Sequence, residues 1–205
     1  EPLALGVATA GAALLVGRDQ HVGVWARTSS LQHNQAIRST MTGARLFGER
    51  GVVAFGAALW AGGELAGDRV TAIDGIRVME AFALSGAITY LVKGVAGRAR
   101  PDTSPGNARD FAWGRGFFKS DEFRSFPSGH TTAAFAIASA MSARVARRSP
   151  QRAGWLGPLL YGAATLTGLS RIYDDRHWAS DVVLGAGIGT VTGLLLVRRL
   201  DRHTP

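Results

Sequence analysis

Cysteine is absent from the 205 residues. No disulfide framework, thiolate nucleophile or cysteine-ligated zinc site can therefore exist, and any chemistry must come from other side chains. Lysine is scarce too: of 23 basic residues only Lys93 and Lys119 are lysines, which leaves an arginine-dominated chain with a formal charge of +8 and a pI near 11.1. No block of basic residues with interleaved aromatics occurs, so nucleic acid is set aside as a partner. The scattered arginines suit a solvated face, or attraction to anionic lipid or a phosphorylated substrate. Strand-like alternation bounded by turns is missing, as are repeats and low-complexity tracts, and the reading that remains is all-α. The length suits one domain over residues 1–205 and is too short for two enzymatic domains.

Uncharged runs that would cross a bilayer with ease are also lacking. The segment 70–93 would carry Asp74, Arg77 and Glu80 through its middle, each costing about 2.5–3.5 kcal/mol at the bilayer centre, and is not expected to span alone. The run 182–197 holds sixteen uncharged residues, about 24 Å of helix against a hydrocarbon core of about 30 Å. It spans only if Arg198 and Arg199 snorkel. The longest uncharged run, 153–170, is equally marginal, and a mean hydropathy of +0.09 with 19% charged residues is low for a polytopic protein. These features favour a water-soluble or peripherally membrane-associated protein, with an integral inner-membrane protein as the alternative. Residues 3–16 are uncharged but lack the basic leader of a secretion signal, and read as a first helix. The chain opens on Glu1 instead of methionine, from which we expect that an N-terminal piece is missing.

What is present is helical in pattern. Apolar-rich stretches suited to helices lie at about 51–66, 70–95, 131–147, 154–170 and 178–200, with one or two short helices expected in the more polar 19–50. The long irregular segment 101–128 carries Pro101, Pro105, Gly106, Gly114, Gly116 and Pro127, and loops of such length are more often functional than idle. His21, His33 and His203 have no evident partners.

Three short motifs carry the chemistry. In KGVAGRARP, Lys93 and Arg100 are seven residues apart, two turns along one helix face, and Pro101 ends the element. In FPSGH, Pro127 and Gly129 mark a turn and His130 opens a helix, where unpaired N–H groups and the dipole suit an oxyanion. In SRIYDDRHWASD, the i, i+4 spacing sets His177 and Asp181 on one helix face, where the carboxylate can hold a ring nitrogen. Taken singly, each has an ordinary explanation: a capping histidine, a helix-stabilising pair, a solvated basic face. Asp174 and Asp175 lie beside Arg176, but adjacent carboxylates point apart and no further ligand cluster accompanies them, so they read as loop or capping residues and no metal site is expected. Trp178, Phe117, Phe118 and Phe126 read as packing residues, with the aromatics of the 101–128 loop as the alternative lining of an entrance for a lipid or other leaving group.

Jointly the three motifs resemble the signature K-x6-RP, PSGH and SR-x5-H-x3-D of the type 2 phosphatidic acid phosphatase superfamily, which also contains bacterial class A acid phosphatases, glucose-6-phosphatase and vanadium haloperoxidases. All eleven specified residues are present in order, with 25 residues between the first two motifs and 39 between the second and third. The resemblance covers about 93–181 and implies a helical-bundle phosphatase working without a metal or other cofactor, with vanadate as a phosphate-mimicking inhibitor.

Phosphoryl-transfer chemistry and the resemblance assign the same roles. Lys93, Arg100 and Arg171 neutralise the nonbridging oxygens, while Ser128 and the Gly129 N–H add donors. His177 attacks phosphorus and carries a phosphohistidine, with Asp181 fixing its tautomer. His130 protonates the leaving oxygen and then activates water. The expected substrate is a phosphate monoester: a lipid phosphate, an isoprenyl pyrophosphate or a small soluble ester. A vanadium haloperoxidase, a phosphotransferase using the same pocket and a noncatalytic helical protein are the alternatives. Family resemblance and the first residue together suggest an exported, periplasmic bacterial protein.

Overall fold

The structure, a computed structural model, describes residues 2–48 and 50–201; His203 lies outside them. Among the described residues there is no strand, and the all-α reading holds. The helices are α1 (Pro2–Val16), α2 (Asp19–Thr28), α3 (Gln35–Leu46), α4 (Arg50–Ala66), α5 (Arg69–Ala96), the single turn α6 (Arg115–Phe118), α7 (Gly129–Arg148), α8 (Pro150–Tyr173) and α9 (Ala179–Asp201). Short 3-10 turns occupy Ser30–His33 and Asp121–Phe123.

Local chemistry sets the ends. Asp68 caps α5, its carboxylate accepting from the Val70 and Thr71 amides at 3.1 and 3.2 Å, which satisfies donors the helix cannot. The other end of α5 is closed by Gly97 at φ 52°, whose N–H donates to the Lys93 carbonyl, a left-handed stop that suits glycine. This corrects one expectation. Lys93 sits on the last turn of α5, but Arg100 lies beyond the helix, so the two do not share a helical face. Pro150 opens α8 four residues before its apolar pattern begins, as proline's fixed φ allows in a first turn.

The long helix α7 lies between α5, α8 and α9, with α4 against α5 and α1 against α9. The interior is built from small residues. One cluster joins Val52, Val78, Ala81, Ala136 and Ile137, and a second joins Ala134, Ala138 and Ala164. Along α9 a Cβ on Gly189 would stand 2.2 Å from the Thr132 carbonyl oxygen and one on Gly193 2.2 Å from that of Ala136. The absence of side chains there lets the two backbones touch, as at helix interfaces that depend on packing alone. This contact sets the N-terminal ends of α7 and α9 side by side.

Many large apolar side chains instead face outward: Leu65 is 90% exposed, Trp113 89% and Phe118 86%, with Leu3, Leu14, Trp60 and Leu159 also exposed, whereas Trp178 is buried. Among the described residues two helices, Arg69–Ala96 and Ala179–Arg199, are long and apolar enough to cross a membrane. The charges in the middle of α5 are paired: Arg144 and Arg148 of α7 engage the Asp74 carboxylate, and Arg77 donates to Glu80 at 2.6 Å. Sequence spacing could not reveal the partners of Asp74, which lie 70 and 74 residues away along the chain.

Candidate active site

The three motifs meet where the C-terminal ends of α5 and α8 face the N-terminal ends of α7 and α9. Lys93 reaches across to the PSGH turn. Its ammonium donates to the Arg124 carbonyl and lies 3.5 Å from that of Ser125, and its Cε would be 3.6 Å from a Cβ on Gly129. The lysine is pinned from behind, because a Cβ on Gly116 would come within 2.2 Å of the Lys93 carbonyl oxygen. Ser128 occupies the N-cap position of α7, with its hydroxyl accepting from the Thr131 hydroxyl at 2.8 Å. The Phe126–Pro127 peptide is cis.

Both expected clamp arginines are buried, and each is oriented by its own carboxylate. Arg100 donates from Nε to the Asp121 carbonyl at 2.9 Å, from Nη2 to the Asp121 carboxylate at 2.6 Å, and from Nη1 to the Arg176 carbonyl at 3.3 Å. Arg171, on the last turn of α8, donates from Nη1 to Asp174 at 2.9 Å, while its buried Nε has no hydrogen-bond partner. A buried guanidinium N–H without an acceptor suits an anion that supplies one. Arg45 from α3 also approaches Asp174, at 3.5 Å, and Asp175 pairs with Arg27 at 2.8 Å. Asp174 and Asp175 thus serve arginines, as loop residues.

The candidate nucleophile differs in setting from its expected one. His177 lies in the connection before α9, not on the helix, and Asp181 in the first turn reaches back to it. Oδ2 of Asp181 accepts from the Trp178 amide at 2.9 Å and from the Ser125 hydroxyl at 2.5 Å, and lies 3.6 Å from His177 Nδ1. That last separation is longer than a hydrogen bond, and the buried Nδ1 of His177 has no hydrogen-bond partner. Burial pushes the His177 imidazole well below its usual range; Asp181 opposes this, while the charges of Lys93 and Arg100 add to it. His177 is therefore neutral at neutral pH, and a proton on Nδ1 facing Asp181 leaves Nε2 with its lone pair free. His130, the second residue of α7, packs against Gly48, where a Cβ would stand 2.6 Å from that of His130 and 2.9 Å from Thr167 Cγ2. All eight predicted site residues come together at one end of the bundle.

Sequence reasoning missed Arg98, Asp19 and Ser125, all fully buried. Arg98 Nη1 donates to Asp181 Oδ1 at 2.5 Å and to the Ser180 hydroxyl at 2.7 Å, and Nη2 donates to Asp19 Oδ2 at 2.7 Å. Nε and Nη2 also donate to the Ala108 carbonyl. The guanidinium carbon lies 4.7 Å from the Phe111 ring centroid and 5.5 Å from that of Trp178. The available signal was an arginine between Lys93 and Arg100, and nothing in the spacing pointed to Asp19.

An all-α bundle that gathers two histidines, a lysine, two arginines and a carboxylate at abutting helix ends has the makings of a phosphoryl-binding centre. Residues 74–205 match the PAP2 superfamily, and the chain belongs to that family. It is 38% identical over 114 residues to a lipid A 1-phosphatase of Porphyromonas gingivalis, covering 56% of this chain and 21% of that protein. It is 34% identical over 94 residues to "Probable diacylglycerol pyrophosphate phosphatase 1" of Schizosaccharomyces pombe, covering 40% of this chain and 34% of that protein. The chain thus spans 21% and 34% of the length of these curated relatives. The crystal structure of a transmembrane PAP2 type phosphatidylglycerolphosphate phosphatase from Bacillus subtilis superposes with a TM-score of 0.75 over 100% of this chain and 98% of that one, at 20% identity. At that identity the likeness is one of fold.

Proposed function

We propose that the protein is an integral-membrane lipid phosphatase that hydrolyses a phosphate ester through a phosphohistidine on His177. The observation that carries the reading is the convergence, from three separate segments, of part-buried Lys93 and buried Arg100 and Arg171 around a buried His177 backed by Asp181. In the proposed reaction the three cations bind the nonbridging oxygens, and Ser128 and the Gly129 N–H add donors. Nε2 of His177 attacks phosphorus, the bond to the leaving oxygen breaks, and His130 delivers a proton to that oxygen. Asp181 stabilises the imidazolium so formed. Water, deprotonated by His130, then attacks phosphorus, the P–N bond breaks, and phosphate departs. The positive charge needed on the phosphoryl oxygens comes from the chain itself, so the proposed reaction draws on no metal.

The lipid reading is supported by the outward-facing apolar side chains, by the two helices of spanning length, and by the lipid phosphates named for the relatives. A wholly apolar groove of about 550 Å³, lined by Leu91, Val92, Val95, Phe111, Trp113 and Phe126, flanks the segment that carries Lys93 on one side and the PSGH turn on the other. A soluble ester would make no use of it. The membrane placement replaces the water-soluble or peripheral one favoured by composition. Purification in detergent followed by phosphate release from phosphatidic acid, a lipid diphosphate, a sugar phosphate and an aryl phosphate tests the proposal. It predicts the highest kcat/KM on a lipid substrate; equal or higher values on the sugar phosphate would contradict it.

A further inference from the structure

We propose that Arg98 and Asp19 are positioning residues of this centre, forming with Asp181 and His177 a buried relay that fixes the carboxylate behind the nucleophile and balances its charge. The inference rests on the reading of His177 as nucleophile. Its foundation is the completeness of the Arg98 contacts. All five guanidinium N–H groups can be accounted for: one on Nε to Ala108, two on Nη1 to Ser180 and Asp181, and two on Nη2 to Asp19 and Ala108. Asp19, the first residue of α2, is bound as fully, accepting from the Ser180 amide at 2.9 Å and from the Ser180 hydroxyl. Arg98, Asp19 and Asp181 are each 0% exposed. A buried charge is tolerated only when paired and hydrogen-bonded, and deleting one partner strands the other.

The charge count explains why one arginine faces two carboxylates. Arg98 with Asp181 alone would be neutral, leaving no net negative charge to meet a cationic phosphoimidazole. Asp19 offsets the arginine, so the sealed group of three carries one net negative charge, which neutralises His177 once its nitrogen is phosphorylated. Meanwhile Nη1 of Arg98 holds Oδ1 of Asp181, while Oδ2, fixed by the Trp178 amide and the Ser125 hydroxyl, lies 3.6 Å from His177 Nδ1. Neither Arg98 nor Asp19 reaches the phosphate, so substrate affinity is not their concern.

A structural salt bridge predicts only altered stability, whereas a relay predicts a signature in the chemical step. The charged groups facing His177 are Asp181 from α9, Lys93 from α5, Arg100 from the segment after α5 and Arg171 from α8, and all remain in the variants chosen. The experiment measures single-turnover phosphoenzyme formation against pH for detergent-purified wild type, Arg98→Gln, Arg98→Lys and Asp19→Asn, with KM from steady state and vanadate binding as the test of a folded site. The rate should fall about 10- to 100-fold in Arg98→Gln and Asp19→Asn, the scale on which outer partners of a functional histidine act, with KM changed less than threefold. Removing the cation leaves His177 in a more negative setting, so its acid limb moves to higher pH in Arg98→Gln; removing the anion moves it to lower pH in Asp19→Asn. Arg98→Lys keeps the charge and should hold the limb at the wild-type position; if Arg98→Gln does not fold, Arg98→Lys and Asp19→Asn carry the test. Unchanged rates in vanadate-binding variants, or limbs that fail to move with the sign of the charge removed, overturn the relay. A wild type that forms no phosphoenzyme, or a His177→Ala protein that still does, overturns the underlying assignment instead.

Discussion

The Ser128 amide donates to the Asp181 carbonyl oxygen across 3.0 Å. This backbone bond ties the start of α7, which carries Gly129 and His130, to the first turn of α9, which holds the carboxylate behind His177. The proposed general acid and the proposed nucleophile are thus referenced to one junction, reinforced where the Trp178 indole donates to the Ala99 carbonyl at 3.0 Å. Groups held on abutting helix ends keep the near-attack geometry on which a phosphoryl transfer without covalent help from a cofactor depends.

The clamp arginines should show this directly. Arg100→Ala and Arg171→Ala should each lower kcat/KM by roughly 10²–10³, the scale of removing one transition-state donor. Because these cations supply the charge, saturating chelator should leave the wild-type rate unaltered. Loss of activity with chelator and its return with Mg²⁺ would contradict the assignment.

The pH dependence follows from the burial of His177. Its pKa is lowered, so the imidazole stays neutral, and nucleophilic, as pH falls through about 6.5, the ordinary histidine value. Protonation, and with it the loss of phosphoenzyme formation, is expected only at lower pH. Single-turnover rates between pH 5 and 8 check this. An acid limb centred near 6.5 that shifts when Asp181 is replaced by Asn would show His177 titrating in its ordinary range.

Packing of α9 on α7 offers a test independent of chemistry. A Cβ on Gly189 would meet the Thr132 carbonyl oxygen at 2.2 Å and the Ala136 amide nitrogen at 2.9 Å, whereas one on Gly162 of α8 would meet nothing within 4 Å. Gly189→Ala should therefore cost about 1–3 kcal/mol, as overpacking does, and Gly162→Ala should be neutral or stabilising by up to about 1 kcal/mol. Thermal unfolding in detergent distinguishes the two; equal midpoints would refute the close approach.

His130 separates substrates by their leaving groups. An aryl oxide departs with little help, while an alkoxide needs a proton. His130→Ala should lose far more kcat/KM on an alkyl phosphate than on nitrophenyl phosphate, and should still bind vanadate through the remaining donors. An unchanged ratio would leave His130 as a phosphate-positioning residue only.

The parts legible in the sequence are those written in short-range spacing. Apolar periodicity located α4, α5, α7 and α9 to within a few residues, and the three motifs named the residues that the fold gathers. Their mutual placement was less legible. Lys93 and Arg100 read as one helical face because the left-handed Gly97, which stops α5, is one glycine among many. His177 and Asp181 read as a helical pair, although α9 begins only after the histidine. Asp19 was invisible for a physical reason: its partner Arg98 is 79 residues away, and a buried ion pair between distant segments has no period. The charges of α5 misled in the same way, since the arginines that neutralise Asp74 belong to α7.

The central claim is that His177 carries the phosphoryl group, and it is tested most directly by trapping. Wild type and His177→Ala, each shown to be folded by vanadate-independent thermal unfolding, are mixed with a ³²P-labelled lipid phosphate, quenched within milliseconds in alkali, and assayed for protein-bound label. The account predicts an alkali-stable, acid-labile phosphoenzyme in the wild type and none in His177→Ala, with phosphate release abolished in parallel. Label retained on the His177→Ala protein, or phosphate released by it at the wild-type rate, would contradict it.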